Sequence, residues 1–174
     1  FHRKEIIMTT VSHISGTTSA DTSEKRRSYE LLLLTYQDFS LDCNGILKDY
    51  GFGRAHHRVL HFVAHQPQIT VSELLSIFQI TKQSLSRVLS QLIDKNLITQ
   101  RPGPTDRRKR LLELTKEGLA LERRLWALSE KRIESAYKTC TKEEIEAYTK
   151  VLSAMLDDSQ SDLVNGIKFS ASAA

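Results

Sequence analysis

Residues 70–115 limit what this chain can fold into more than any other stretch, because three local signals follow one another there without a break. Thr70 and Glu73 stand at the spacing at which each side chain satisfies the other's backbone N–H, so a short helix opens there. It runs through Phe78, with Leu74, Leu75 and Ile77 as its buried side. Gln79-Ile80-Thr81 reads as a tight turn, with Thr81 as the next N-cap. In the helix that Thr81 opens (TKQSLSRVLSQLIDKN), Leu85, Val88, Leu89, Leu92 and Ile93 recur at the three-and-four spacing of one buried face. Its other face is Gln83, Ser86, Arg87, Ser90, Gln91 and Asp94, with Lys82 and Ser84 in the first turn. These are short or hydrogen-bonding side chains, suited to base edges and phosphates, and not the Glu/Lys mixture of a merely solvated helix. After Asn96, residues 97–101 and 109–114 read as two short strands, with Leu112 and Leu114 on one face by the two-residue period. Pro102, Gly103 and Pro104 exclude helix from the connection and project residues 105–109 as a tip. A helix-turn-helix followed by such a hairpin is a winged helix.

Charge separates this stretch from the rest. From Thr81 to Arg110 lie Lys82, Arg87, Lys95, Arg101, Arg107, Arg108, Lys109 and Arg110 against only Asp94 and Asp106. That is a net +6 in a chain whose total is +4, which leaves −2 for the other 144 residues. Positive charge confined to one segment is the electrostatic footprint that a phosphate backbone requires.

The remaining signals describe what carries this unit. The chain of 174 residues is long enough to bury a core, and its 40% hydrophobic and 26% charged fractions are those of an ordinary soluble domain. No apolar run reaches a bilayer-spanning length and no signal-peptide pattern opens the chain, so a cytoplasmic protein without membrane contact is expected. Residues 1–22 lack apolar periodicity and read as a flexible arm, in which Met8 is a candidate native start. A capping-box spacing at Asp21 and Glu24 opens a helix over about 23–49, closed by Gly51 and Gly53, whose apolar surface is wider than one stripe. A second helix, about 53–66, stops at Pro67; Val59, Leu60, Phe62 and Val63 face a core, and four histidines crowd residues 56–65. Beyond the hairpin, Thr115 starts a long helix to about 139, and Thr141 with Glu144 opens another that buries Ile145, Tyr148, Val151, Leu152, Met155 and Leu156. This is more amphipathic surface than one small winged helix covers, and it points to a helical dimerisation domain built from both ends of the chain. The expected fold is therefore mainly α. Its parts are an N-terminal dimerisation helix (23–52), a winged helix-turn-helix with a two-stranded wing (53–114), C-terminal dimerisation helices (115–159) and a flexible tail (160–174).

The order of elements, together with ELLSIFQITKQSLSRVLSQLIDKNLI and DRRKRLLELTKEG, resembles the MarR family of bacterial transcriptional regulators. The similarity covers roughly residues 29–156, and 106–118 is its most specific part. The resemblance implies a homodimer whose second helix of the helix-turn-helix enters the major groove while the wing reaches the adjacent minor groove. It also implies a repressor released when an effector acts near the junction of the DNA-binding and dimer regions. Asp106 and Arg108 match the family's wing Asp-x-Arg, in which the Asp holds the wing and the Arg enters the minor groove. The chain departs from the family at Leu111, where many members carry another Arg, so Arg110 or Lys109 would have to supply that contact.

The sites expected on these grounds are a major-groove set of Thr81, Lys82, Gln83, Ser84, Ser86 and Arg87, and a wing set of Arg107, Arg108, Lys109 and Arg110 oriented by Asp106. The partner is double-stranded DNA carrying an inverted-repeat operator, its half-sites about one helical turn apart. Against this stand blander readings of the same residues: a core helix with a polar exterior, a solvated charge run, or a winged helix that binds protein. His57, His61 and His65 stand at i, i+4 and i+8 on one helix face and are the candidate pocket for a small effector. Surface or pocket-lining histidines are the plain alternative; successive pairs could also each hold a metal through their imidazoles, as in metal or haem sensing, but the sequence names no convincing further ligand, so no metal or other cofactor is assigned. An interaction protein that binds an effector or metal, its winged helix no longer binding specific DNA, is the reading of a different class. Cys43 reads as an apolar filler; Cys140 lies just before the N-terminus of the last helix, where the dipole would favour a thiolate, but reads as a structural or inert cysteine. No catalytic constellation is evident, so the chain is not expected to be an enzyme.

Overall fold

The computed structural model describes residues 22–158 and 160, so all of the expected arm but Thr22, and all of the tail but Gln160, lie outside the described residues, as do Met8 and the Asp21 half of the first capping box. Among the described residues the elements follow in order: α1 (Thr22–Asp49), α2 (Arg54–His65), β1 (Ile69–Thr70), α3 (Val71–Phe78), α4 (Lys82–Asp94), β2 (Ile98–Pro102), β3 (Arg110–Leu114), α5 (Lys116–Tyr137) and α6 (Lys142–Ala154). The chain divides within α1 into two compact units, one ending at Gln37 and the other beginning at Asp38. The described part of the first unit is helix, and it leaves Tyr29, Leu31, Leu32, Leu33, Leu34 and Tyr36 exposed.

In the second unit the local signals act as their chemistry dictates. At α3, Thr70 Oγ1 accepts from the Glu73 N–H (3.2 Å) and the Glu73 carboxylate accepts from the Thr70 N–H (2.7 Å). Thr141 and Glu144 repeat the arrangement at α6. Gly51 closes the turn after α1 with φ +71°, and Phe52 N–H reaches back to the Leu47 carbonyl, a termination that needs a left-handed residue. Gln79 (φ 50°) and Asn96 (φ 55°) perform the same left-handed step after α3 and α4.

The core joins every element of the winged unit. Leu47 of α1, Leu60 and Val63 of α2, Leu74 of α3, Leu85 and Leu92 of α4, Leu112 of β3 and Leu121 and Leu125 of α5 are all fully or almost fully buried. Cys43 is buried among them as an apolar residue, and that burial pushes its thiol upward. Cys140 is exposed.

The sheet has one strand more than the sequence suggested. The expected hairpin forms antiparallel from Ile98↔Leu114 to Pro102↔Arg110, and β1 adds to its other edge through Ile69↔Leu112 and Thr70↔Leu111, giving the order β1-β3-β2. Two residues are too few to show a period of two, so only the pairing reveals this strand. Leu111 thus lies in the central strand between Thr70 and Arg101.

Gly118 joins the wing to α5. A Cβ at this position would run into the Leu97 carbonyl oxygen, so only glycine lets the first turn of α5 approach the backbone between α4 and β2. Thr115 ties the same junction, donating its hydroxyl to the Asn96 carbonyl (2.7 Å) and its N–H to the Leu97 carbonyl (3.0 Å). No helix among the described residues is long and apolar enough to cross a membrane.

Candidate nucleic-acid interface

The exposed face of α4 comes directly from its periodicity. With Leu85, Val88, Leu89 and Leu92 buried, Lys82, Gln83, Ser84, Ser86 and Arg87 are all left in solvent. Thr81 has a structural task here: its Oγ1 accepts from the Ser84 N–H (3.2 Å) and lies 2.9 Å from Ser84 Oγ. Cap and first turn therefore share a hydroxyl pair, set where unsatisfied helix N–H groups and the positive end of the helix dipole attract anions.

A histidine with no role assigned from the sequence links α2 to α4. His56 is buried at the start of α2 and stacks on Phe52 with ring centroids 4.4 Å apart. Its Nδ1 accepts from the Gly53 N–H (3.1 Å), so the proton of the neutral ring sits on Nε2 and is donated to Gln91 Oε1 (2.8 Å). Gln91, on the polar face of α4 but outside the expected major-groove set, is thereby bonded to α2. The missed signal was the GFGRAH run, in which a glycine amide three residues before a histidine offers that ring a local donor.

The wing tip is held by its aspartate. Asp106 Oδ1 accepts from the Arg108 N–H (2.9 Å), the Asp106 carbonyl accepts from the Lys109 N–H (3.1 Å), and the Lys109 carbonyl accepts from the Gly103 N–H (2.9 Å). Asp106 thus organises the backbone of the tip through its side chain and its carbonyl. Arg107, Arg108, Lys109 and Arg110 are exposed, and among the described residues no carboxylate forms an ion pair with them, with Lys82 or with Arg87. Arg101 differs: it pairs with Glu113 across the two strands, which removes one cation of the basic segment from the charge on offer.

The expected effector histidines lie elsewhere, on the side of α2 that meets α5. His61 Nδ1 is 3.4 Å and His65 Nε2 3.9 Å from the same Glu122 oxygen. Burial holds His57 and His65 below the ordinary imidazole value; the neighbouring His61 adds to the effect and Glu122 opposes it. Two grooves flank α5, one lined by Trp126, Ile133 and Tyr137 and the other by Asp42, Leu128 and Arg132, and none of the three histidines lines either.

Known proteins share this architecture. A model of the MarR family matches residues 50–109, which run from the start of the winged unit to its basic tip. The HTH-type transcriptional regulator PetP of Rhodobacter capsulatus is 40% identical over 132 residues, 76% of this chain and 80% of PetP. The chain belongs to the MarR family. Among solved MarR-family structures, that of Streptococcus pneumoniae FabT in complex with DNA superposes with a TM-score of 0.64 at 21% identity, covering 75% of this chain and 94% of FabT. A mutant Escherichia coli MarR complexed with operator DNA gives 0.59 at 24% identity, covering 79% of this chain and 99% of that one. At such identities the two structures speak for the fold. As a MarR-family member the chain is a transcriptional regulator of the winged-helix type and not an enzyme.

Proposed function

We propose that this regulator is a homodimer that represses transcription by binding an inverted-repeat operator in double-stranded DNA. The observation that carries the reading is the pair of accessible cationic surfaces, the first turns of α4 and the tip of the wing, neither neutralised by a carboxylate among the described residues. Lys82, Gln83, Ser84, Ser86 and Arg87 approach base edges in the major groove, with Thr81 holding the turn from which they project. Arg107, Arg108, Lys109 and Arg110 bind the minor groove and flanking phosphates, with Asp106 keeping the tip in shape. Arginine suits a narrow minor groove because the negative potential there is strongest. The relatives' DNA complexes and the name of PetP favour the same partner.

A small effector acting where α2 meets α5, beside His57, His61 and His65, would shift the winged unit against the helices that carry it. That is the regulatory part of the reading.

The test is titration of the promoter fragment nearest the gene with wild type and Arg108→Ala at rising salt. Wild type is expected to prefer that fragment, or a selected operator, over random duplex. Arg108→Ala should bind on the order of tenfold more weakly with a shallower salt slope. Equal affinity for operator and random duplex would sink the specific-regulator reading.

A further inference from the structure

His61, His65 and Glu122 bring three metal-ligating atoms together, all within 4.8 Å of one another, on two elements that the sequence separates by some sixty residues. We propose that they form a binding site for a divalent transition-metal ion of the zinc class. His61 and His65 are one helical turn apart on α2, so both imidazoles leave the same face. Glu122, from the second turn of α5, meets them there.

Geometry supports the assignment. Tetrahedral zinc with bonds of about 2.0–2.1 Å sets its ligand atoms about 3.3 Å apart. His61 Nδ1 already stands 3.4 Å from Glu122 Oε1, and His65 Nε2 stands 3.9 Å from it. Closing all three edges on an ion takes side-chain shifts of about 1 Å, within the reach of small changes in torsion. Two imidazoles and one carboxylate are also a donor set that zinc accepts with a fourth position left open.

Electrostatics points the same way. The Glu122 side chain is only 7% exposed, and a buried carboxylate is costly without a compensating cation. Among the described residues its ion-pair partners are these two histidines, with no lysine or arginine. Imidazole binds metal in its neutral form, so a divalent ion would supply the missing charge without protonating either ring. The two histidine side chains are 28% and 31% exposed, which leaves an entry path, while Trp126, with its ring centroid 5.9 Å from that of His61 and 6.5 Å from that of His65, walls the site with apolar surface.

This inference names a ligand class for two of the histidines assigned above to an effector, and it requires neither operator binding nor a dimer, because it is read on the protein alone. Full-length protein stripped with a chelator is titrated with Co²⁺, which reports coordination through its visible ligand-field bands, and then back-titrated with Zn²⁺. Wild type should take one Co²⁺ per chain with the intense bands of a four-coordinate ion and lose them to Zn²⁺. His61→Ala and His65→Ala, at part-exposed positions, should keep the far-UV circular dichroism of wild type and each weaken binding on the order of 100-fold or more, as expected for loss of a direct ligand. Glu122→Gln keeps the shape of the side chain and should lower affinity in the same direction. Absence of the Co²⁺ bands in wild type, or stoichiometric binding that survives in both histidine variants, would overturn the site and leave the operator experiment unaffected.

Discussion

At the scale of single residues, Gly118 and His56 show how little chemistry holds the winged unit in register. Gly118 lets α5 begin against the Leu97 carbonyl, and backbone cannot move aside as the end of a flexible side chain can. Gly118→Ala should therefore destabilise the protein by about 3 kcal/mol, at the upper end of overpacking costs, as read from the midpoint of urea unfolding. A loss under about 0.5 kcal/mol would mean that the junction relaxes freely. Position 118 was legible in the sequence only as part of the DRRKRLLELTKEG run. The partner that makes it glycine lies twenty-one residues earlier and becomes a neighbour through packing. His56 is a similar case, because its bond to Gln91 spans 35 residues, and no pattern within α2 marks a histidine as the strut of α4.

At the scale of elements, α1 and α5 are tied by a polar contact. Asp42 accepts two hydrogen bonds from Arg132, Nε at 2.6 Å and Nη2 at 2.8 Å, and Asp38 takes a third from the same guanidinium at 3.3 Å. The guanidinium holds the Asp42 carboxyl below its ordinary range. Because the folded-state value is depressed, the contribution of the pair is fully present above the unfolded value of about 3.9 and is lost as pH falls through the lower folded value. Both side chains are partly in water, so solvent screening keeps the contribution to about 1 kcal/mol or less. Asp42→Asn should thus lower the thermal midpoint slightly at pH 7 and leave it close to wild type at pH 3, measured by circular dichroism at both values. A difference that grows on acidification would contradict this account. The helices were legible because capping boxes and three-and-four spacing are local: Thr70 and Glu73, Thr141 and Glu144, and the face of α4 all follow from neighbours within a turn. Strand β1 was not legible, because two residues acquire strand geometry only from their partners on β3.

At the scale of the whole molecule, the apolar residues left in solvent bear on assembly. Trp126 and Tyr137 on α5 and Tyr148 and Val151 on α6 are exposed, with Met155 and Leu156 just beyond α6 and the leucines 31–34 on α1, surface that a lone chain would not leave wet without cost. The proposed dimer covers such surface. Val151→Asp combined with Met155→Asp should shift sedimentation equilibrium towards the monomer by an order of magnitude or more in dissociation constant, while the winged unit keeps its helical signal. An unchanged dimer would place the interface elsewhere. By itself, the sequence determined the helices, the caps at Thr70, Thr81 and Thr141, the buried face of α4, the hairpin and the basic tip, because each depends on residues a few positions apart whose spacing has one low-energy conformation. Only the tertiary structure decided that Gln91 serves His56, that Arg101 is neutralised by Glu113 and that Glu122 meets His61 and His65. Those pairings depend on where separate elements pack. The opening stretch of helix, turn, helix and wing was readable as one unit, while the groups that orient and surround it became visible when distant side chains were brought within bonding distance.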